Sequence, residues 1–108
     1  MGAEGAMIEL VERHLPELRA LSRLHQVKKL ELFGSAAGGA FDPDRSDLDF
    51  LIEFLPMEPK EHAQAYFAVL FGLENLFHRK IDLLEAQAVT NPYFLRSVNQ
   101  ERQVLYAA

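Results

Sequence analysis

Residues 33–54 read FGSAAGGAFDPDRSDLDFLIEF, a Gly-Ser turn followed a short way on by a segment that opens with two alternate carboxylates. Because side chains two apart on a strand point to the same side, Asp47 and Asp49 share one face. The other face is apolar and consists of Leu48, Phe50, Ile52 and Phe54. Two carboxylates are therefore expected beside a turn of about the size that a phosphate needs.

Alternating patterns predict three strands. Residues 27–33 alternate and run into the Gly34-Ser35 turn, and residues 47–55 form a second strand. Residues 80–84 alternate again, with Ile81 and Leu83 on one face and Asp82 on the other. Residues 36–45, with two glycines and an Asp-Pro-Asp sequence, are expected to form a loop or a short helical turn.

Helical spacing of apolar residues predicts the remaining elements. Residues 7–25 follow this spacing but contain Pro16, so one helix should end near His14 and another begin there. A further helix is expected from about residue 60 to 77. Its apolar surface is wider than it needs to be to cover one face of the sheet. We expect the excess to serve a partner. Asn91-Pro92 predicts the start of a last helix running from residue 92 toward 106.

Length and charge limit the classes of protein. With 108 residues and 49% hydrophobic content, residues 1–108 should form a single domain. The net charge of −5 argues against a long nucleic acid partner, because such partners are held mainly by Lys and Arg. The absence of cysteine excludes disulfides and thiolate metal sites and is consistent with a reducing compartment.

Neither a membrane nor a secretory route is indicated. No apolar run approaches the roughly 20 residues that cross a bilayer. The first residues lack the basic and apolar regions of a signal peptide. We therefore expect a cytoplasmic protein without a membrane partner.

The acidic residues have the chemistry of a magnesium site. Transfer of a nucleotidyl group requires a crowded polyphosphate to be neutralised, and divalent metal ions do this. Mg²⁺ prefers oxygen ligands in octahedral geometry, which carboxylates on adjacent strands can supply. Asp47 and Asp49 offer two. Asp82 would be the third if its strand pairs in register, where it would bind metal or draw a proton from the acceptor.

The turn that precedes the acids has the chemistry of a phosphate site. Gly34 leaves room for a phosphate to approach the backbone, and the hydroxyl of Ser35 can donate to phosphate oxygens. Each feature alone is weak, but in this order and spacing they are more specific.

The chain resembles the minimal nucleotidyltransferase (MNT) family of the DNA polymerase β superfamily in three motifs. They are Leu-Phe-Gly-Ser, then Ser-Asp-Leu-Asp-Phe and later Ile-Asp-Leu-Leu. The resemblance spans about residues 30–84. It implies an α/β (α+β) fold, a small mixed sheet flanked by helices. It also implies that the turn binds a nucleoside triphosphate such as ATP and that the acids bind Mg²⁺. The matching positions are Gly34, Ser35, Asp47, Asp49 and Asp82.

Family members of this size resemble antitoxins encoded beside HEPN-domain ribonuclease toxins, some of which transfer AMP onto a tyrosine of the toxin. One departure concerns charge. Many relatives carry arginines after the Gly-Ser pair, whereas residues 36–39 here are Ala-Ala-Gly-Gly. The loss of such a contact typically costs about 1.5 to 3 kcal/mol. Arg45 is the nearest nucleotide-binding candidate, and a partner residue is the other.

Other interpretations of the acids stay open. Asp42, Asp44, Ser46 and Glu53 match positions of a calcium loop. However, the position that needs glycine holds Asp47, and a strand follows where a helix would be required. Asp47 could also cap a strand, with Asp49 and Asp82 simply solvated.

Three functions are therefore weighed. The first is a Mg²⁺-dependent transfer of AMP from ATP to a hydroxyl, a tyrosine for preference, of a HEPN toxin. The second is a catalytically weak or inactive antitoxin that neutralises its partner by binding, and the third is a nucleotide sensor. Nucleotide preference, acceptor and oligomeric state are left open.

Overall fold

The computed structural model describes residues 9–34, 47–86 and 102–108. In chain order, the elements are α1 (Glu9–Arg13), α2 (Leu15–Leu24), β1 (Val27–Phe33), β2 (Leu48–Phe54), α3 (Pro59–Phe77), β3 (Ile81–Glu85) and β4 (Gln103–Ala107). The first three predicted strands and the helices predicted before residue 78 are each present, with ends that differ by one or two residues.

The four described strands form one sheet in the order β3-β2-β1-β4. β1 lies antiparallel to both β2 and β4, whereas β2 and β3 are parallel. Parallel neighbours cannot be joined by a hairpin, so the chain crosses over through α3. This mixed sheet with flanking helices confirms the predicted fold class.

Proline positions set the helix boundaries. The break predicted at His14 is present, and Pro16 lies in the first turn of α2, where its missing N–H is not needed. α3 begins at Pro59 for the same reason. Its end is set by His78, which takes a left-handed conformation with φ 54° and donates its backbone N–H to the carbonyl of Glu74 at 2.8 Å.

The main core lies between the helices and one face of the sheet. Phe50 on β2 is fully buried, and its ring stacks with that of Phe77 on α3 at a centroid distance of 6.1 Å. A hydrogen bond joins α2 to strand β4: Nε of Arg19 donates to the carbonyl oxygen of Leu105 at 3.2 Å. The apolar face predicted for β2 is therefore the face that is packed, and its acidic face points away from the helices.

The predicted last helix is wrong over its final residues. Gln103–Ala107 is strand β4, paired with β1, while the rest of the predicted helix, residues 92–101, lies outside the described residues. Leu105 is 2% exposed and Val104 is 52% exposed, which is the alternation of a strand. The backbone groups along the free side of β1 gain partners by this pairing, and that gain outweighs the local helical pattern.

The broad apolar arc of α3 is only partly covered. Ala65, Val69, Leu73 and Phe77 are buried, but Phe67 and Phe71 are 51% and 56% exposed and stack on each other. Among the helices that the structure describes, none combines the length and apolar character needed to cross a membrane.

Candidate active site

Two of the three predicted carboxylates meet across the parallel strands β2 and β3. Asp49 is the direct register partner of Asp82, and both side chains point to the face opposite the main core. Their carboxyl groups are in hydrogen-bond contact. The pairing on which the role of Asp82 depends is therefore present in the backbone.

Asp49 titrates far from its ordinary range. Burial, a hydrogen bond to Asp82 and the negative charges of Asp82 and Asp47 raise the pKa of Asp49 from 3.8 to about 6. The protonated Asp49 carboxyl can donate to the Asp82 carboxylate, whereas two charged groups in this position repel each other. Among the described residues, no cation forms an ion pair with Asp49 or Asp82, and a divalent cation between the two groups would supply positive charge.

Gly34 packs directly against Asp49. Gly34 follows the residue of β1 that pairs with Asp49, and its φ of +75° lies in the left-handed region that side chains rarely adopt. A Cβ at this position would collide with Oδ2 of Asp49. The glycine predicted to border a phosphate site thus lies in contact with the predicted metal ligand.

Asp47 occupies the same face but turns toward a different group. Its Oδ2 lies 3.9 Å from Nζ of Lys80, just before β3. Asp47 is near enough to raise the pKa of Asp49 through charge. Across residues 9–34, 47–86 and 102–108, no three His, Asp or Glu side chains are grouped as ligands around one point. Two acids meet, and the third pairs with a lysine.

The remaining acidic residues of this face belong to separate ion pairs. Glu53 lies at the other end of β2, 3.4 Å from Nζ of Lys28. Glu31 is buried on β1 and contacts Arg102 at 3.3 Å. Both acids are thus compensated by cations of their own. The unbalanced charge is concentrated at the end of the sheet where Asp49 and Asp82 meet.

Tyr66 of α3 holds strand β3 in position. Its hydroxyl donates to the carbonyl oxygen of Leu83 at 2.6 Å. Burial raises the pKa of Tyr66, with the charges of Glu85 and Asp82 adding to the effect, so the hydroxyl keeps its proton for this hydrogen bond. Because Leu83 adjoins Asp82, the bond fixes the backbone that carries the carboxylate.

The other two predicted nucleotide-binding residues, Ser35 and Arg45, lie outside the described residues. Lys80 was not among the candidates, although the alternation of β3 provided a signal. A residue two positions before Asp82 must share its face, just as Asp47 shares the face of Asp49.

The donor set suits a hard divalent cation. Asp49 and Asp82 offer several carboxylate oxygens at one point, and Asp47 is one pleat away on the same face. Mg²⁺ is usually bound through one or two carboxylates, with water and substrate phosphate completing the octahedron. The residues present therefore fit such an ion without a full protein cage.

Magnesium binding should depend on pH around the pKa of Asp49. A ligand must lose its proton to bind metal, so affinity should be level above about pH 7 and fall by about tenfold per unit below about pH 6. Calorimetric titration of Mg²⁺ at pH 5, 6, 7 and 8 would measure this, with circular dichroism to verify folding. Affinity unchanged from pH 5 to 8 would contradict the assignment.

Comparison with known proteins identifies one family and several relatives. The nucleotidyltransferase domain family matches residues 12–105. A proposed protein adenylyltransferase of Methanocaldococcus jannaschii is 28% identical over 93 residues, which is 86% of this chain and 88% of the relative. A second such protein of the same organism is 30% identical over 83 residues, covering 77% and 81% of the two chains.

Solved structures share the fold. A proposed minimal nucleotidyltransferase superposes with a TM-score of 0.65 at 24% identity, covering 89% of this chain and 93% of that one. A toxin-antitoxin structure with AMP-PNP gives 0.65 at 17% identity, with coverages of 87% and 73%. A complex of tri-AMPylated Shewanella oneidensis HEPN toxin with MNT antitoxin gives 0.62 at 14% identity, covering 90% and 72%.

The fold and the family match define a nucleotidyltransferase. The chain belongs to the nucleotidyltransferase domain family, and the resemblance to nucleotidyltransferases drawn from its motifs is confirmed.

Proposed function

We propose that this protein is a single-domain, cytoplasmic, Mg²⁺-dependent adenylyltransferase that modifies a hydroxyl, preferably a tyrosine, of a HEPN ribonuclease toxin and acts as its antitoxin. The observation that carries the proposal is the Asp49–Asp82 pair beside Gly34. The pair supplies carboxylates for a metal ion directly against Gly34. The names of the relatives and of the structural neighbours support adenylyl transfer and this class of partner.

Each site residue has a role in this proposal. Asp47 and Asp49 hold metal, and Asp82 completes the site and accepts the proton of the attacking hydroxyl. Gly34, Ser35 and Arg45 hold the phosphates. Bound Mg²⁺ would neutralise the charge that develops on the phosphates.

The reaction is an exchange at the α-phosphorus of ATP. A bond forms between the acceptor oxygen and the α-phosphorus, and the bond from the α-phosphorus to the oxygen that bridges to the β-phosphate breaks. Pyrophosphate leaves, and the proton of the hydroxyl passes to Asp82. The chain has to align the two reactants and exclude competing water, for which a partner protein bound at the site is well suited.

Labelled ATP tests the proposal directly. The protein is incubated with Mg²⁺, the product of the adjacent gene and ATP labelled at either the α- or the γ-phosphate. We expect label on the partner from the α-position and none from the γ-position. If a complex forms and neutralises the partner but carries no α-label, transfer is excluded and neutralisation by binding is the function.

The second candidate, a non-catalytic antitoxin, is favoured by one observation. Phe67 and Phe71 form an exposed stacked pair on α3, and such surfaces are more often covered in an assembly than left in water. Asp49→Asn separates the candidates, because neutralisation would survive this change only if binding alone suffices.

A further inference from the structure

Lys80 completes a square of charged side chains on one face of the sheet. Asp49 pairs with Asp82 across β2 and β3, and one step before each strand Asp47 lies opposite Lys80. The backbone N–H of Leu48 donates to the carbonyl oxygen of Lys80 at 3.4 Å, which keeps the two strand starts together. Three corners of the square are acidic, and the fourth is an ammonium group.

The ammonium group is held only loosely by its present partner. Nζ of Lys80 lies 3.9 Å from Asp47, at the long limit of an ion pair, and the Lys80 side chain is 71% exposed. Exposed pairs of this kind contribute little to folding stability. Lys80 can therefore turn toward another anion at little cost, while its backbone stays fixed at the site.

A nucleoside triphosphate brings more negative charge than the described site can balance with a single metal ion. Asp47, Asp49 and Asp82 add further negative charge around it. In the described part of the chain, the ion pair of Lys80 is the one that involves any of these three acids. A flexible ammonium group beside the metal ligands is a common way to hold phosphate oxygens.

We propose that Lys80 is a nucleotide-binding residue that exchanges Asp47 for a β- or γ-phosphate oxygen of the metal-bound triphosphate. The inference rests on the proposed function and names a contact within the same site. Asp47 would then be free to serve as a metal ligand, so each charged group replaces one partner with another. The contact would also hold the pyrophosphate portion as it leaves.

Binding of nucleotides without turnover tests this contact. Calorimetry with Mg²⁺ compares α,β-methylene-ATP, in which the scissile oxygen is replaced, with AMP, which lacks the outer phosphates. Lys80→Ala should lower the affinity for α,β-methylene-ATP by about tenfold, as expected for the loss of one charge-assisted hydrogen bond. The affinity for AMP should stay within about twofold of wild type. Lys80→Arg should retain most of the affinity.

Lys28→Ala is the matched control, because Lys28 also pairs with a carboxylate on this face of the sheet, Glu53, but at the far end of β2. It should leave both affinities unchanged. Equal weakening of both ligands by Lys80→Ala, or equal effects of the two alanine variants, would overturn the inference. A wild-type protein that binds no triphosphate would overturn both proposals, whereas lysine-dependent binding without transfer to any partner would overturn the proposed function alone.

Discussion

Replacing Asp49 by Asn is expected to reduce adenylyl transfer by on the order of 10³-fold, about 4 kcal/mol of transition-state stabilisation. The Asn side chain keeps the size of Asp but has one weak oxygen donor and no charge. Asp49 is also the group that contacts Asp82 and borders Gly34, so its loss affects both of these neighbours together.

Single-turnover transfer of α-label to the partner would measure the effect of Asp49→Asn. Glu53→Gln is the control, since Glu53 lies on the same face of the same strand but pairs with Lys28. It should keep nearly full activity. Similar losses in the two variants would mean that the negative charge of the whole face matters, and that Asp49 has no special position.

The same substitution should stabilise the metal-free protein. The folded protein raises the pKa of Asp49 above its unfolded value, so the folded state binds more protons between about pH 4 and 6 and loses stability as pH rises through that window. Asn removes this penalty. We expect a gain of about 1 kcal/mol in unfolding free energy at pH 8, after allowance for solvent screening, and none at pH 3.

Urea unfolding of wild type and Asp49→Asn at both pH values, in the presence of a chelator, measures this difference. Excess Mg²⁺ should reverse the order, because it stabilises only the protein that retains the carboxylate. A variant less stable than wild type at pH 8 without metal would contradict the like-charge account of this pair.

Gly34→Ala is expected to lower transfer by about 100-fold, the cost of moving a reacting group by about 1 Å. The added Cβ would collide with the Asp49 carboxylate, and the φ of +75° adds backbone strain. Asp49 must move, which separates it from Asp82. Stability should fall by about 1 to 3 kcal/mol.

A second glycine provides the control for added bulk. In Gly72→Ala, the new methyl group would meet the ends of the Leu21 side chain, with the nearest atoms at 2.9 Å, and that flexible side chain can shift. Gly72 lies in α3, on the core side of the sheet, so transfer should stay within about twofold of wild type. A Gly34→Ala variant with full activity would contradict a role for Gly34 in the proposed active site.

The elements predicted correctly are those whose signal is local. Alternation located three strands because burial on one face repeats every two residues, and Pro16 marked a helix start through its own geometry. The same alternation placed Asp47 and Asp49 on one face. The register of Asp82 needed a comparison between two distant segments, and the resemblance to a family supplied that expectation.

One wrong prediction and one missed contact come from interactions that the local pattern does not contain. Strand β4 pairs with β1, which lies far from it in the sequence. That pairing overrides a stretch with helical spacing. The ion pair between Asp47 and Lys80 forms because β2 and β3 start at the same level of the sheet. The sequence of one strand alone does not reveal this register. Both cases are decided by long-range contacts.

The sheet order divides the site into an early and a late half. Gly34 and Asp49 lie on adjacent antiparallel strands, β1 and β2, whereas Asp82 lies on β3, a five-residue edge strand that docks only after α3 has crossed over. Local contacts form faster than distant ones, so a nascent chain should join the first pair well before the second carboxylate arrives. Gly34 and Asp49 should thus be in contact before Asp82 joins them, and the amide hydrogens of β3 should exchange faster than those of β1 and β2.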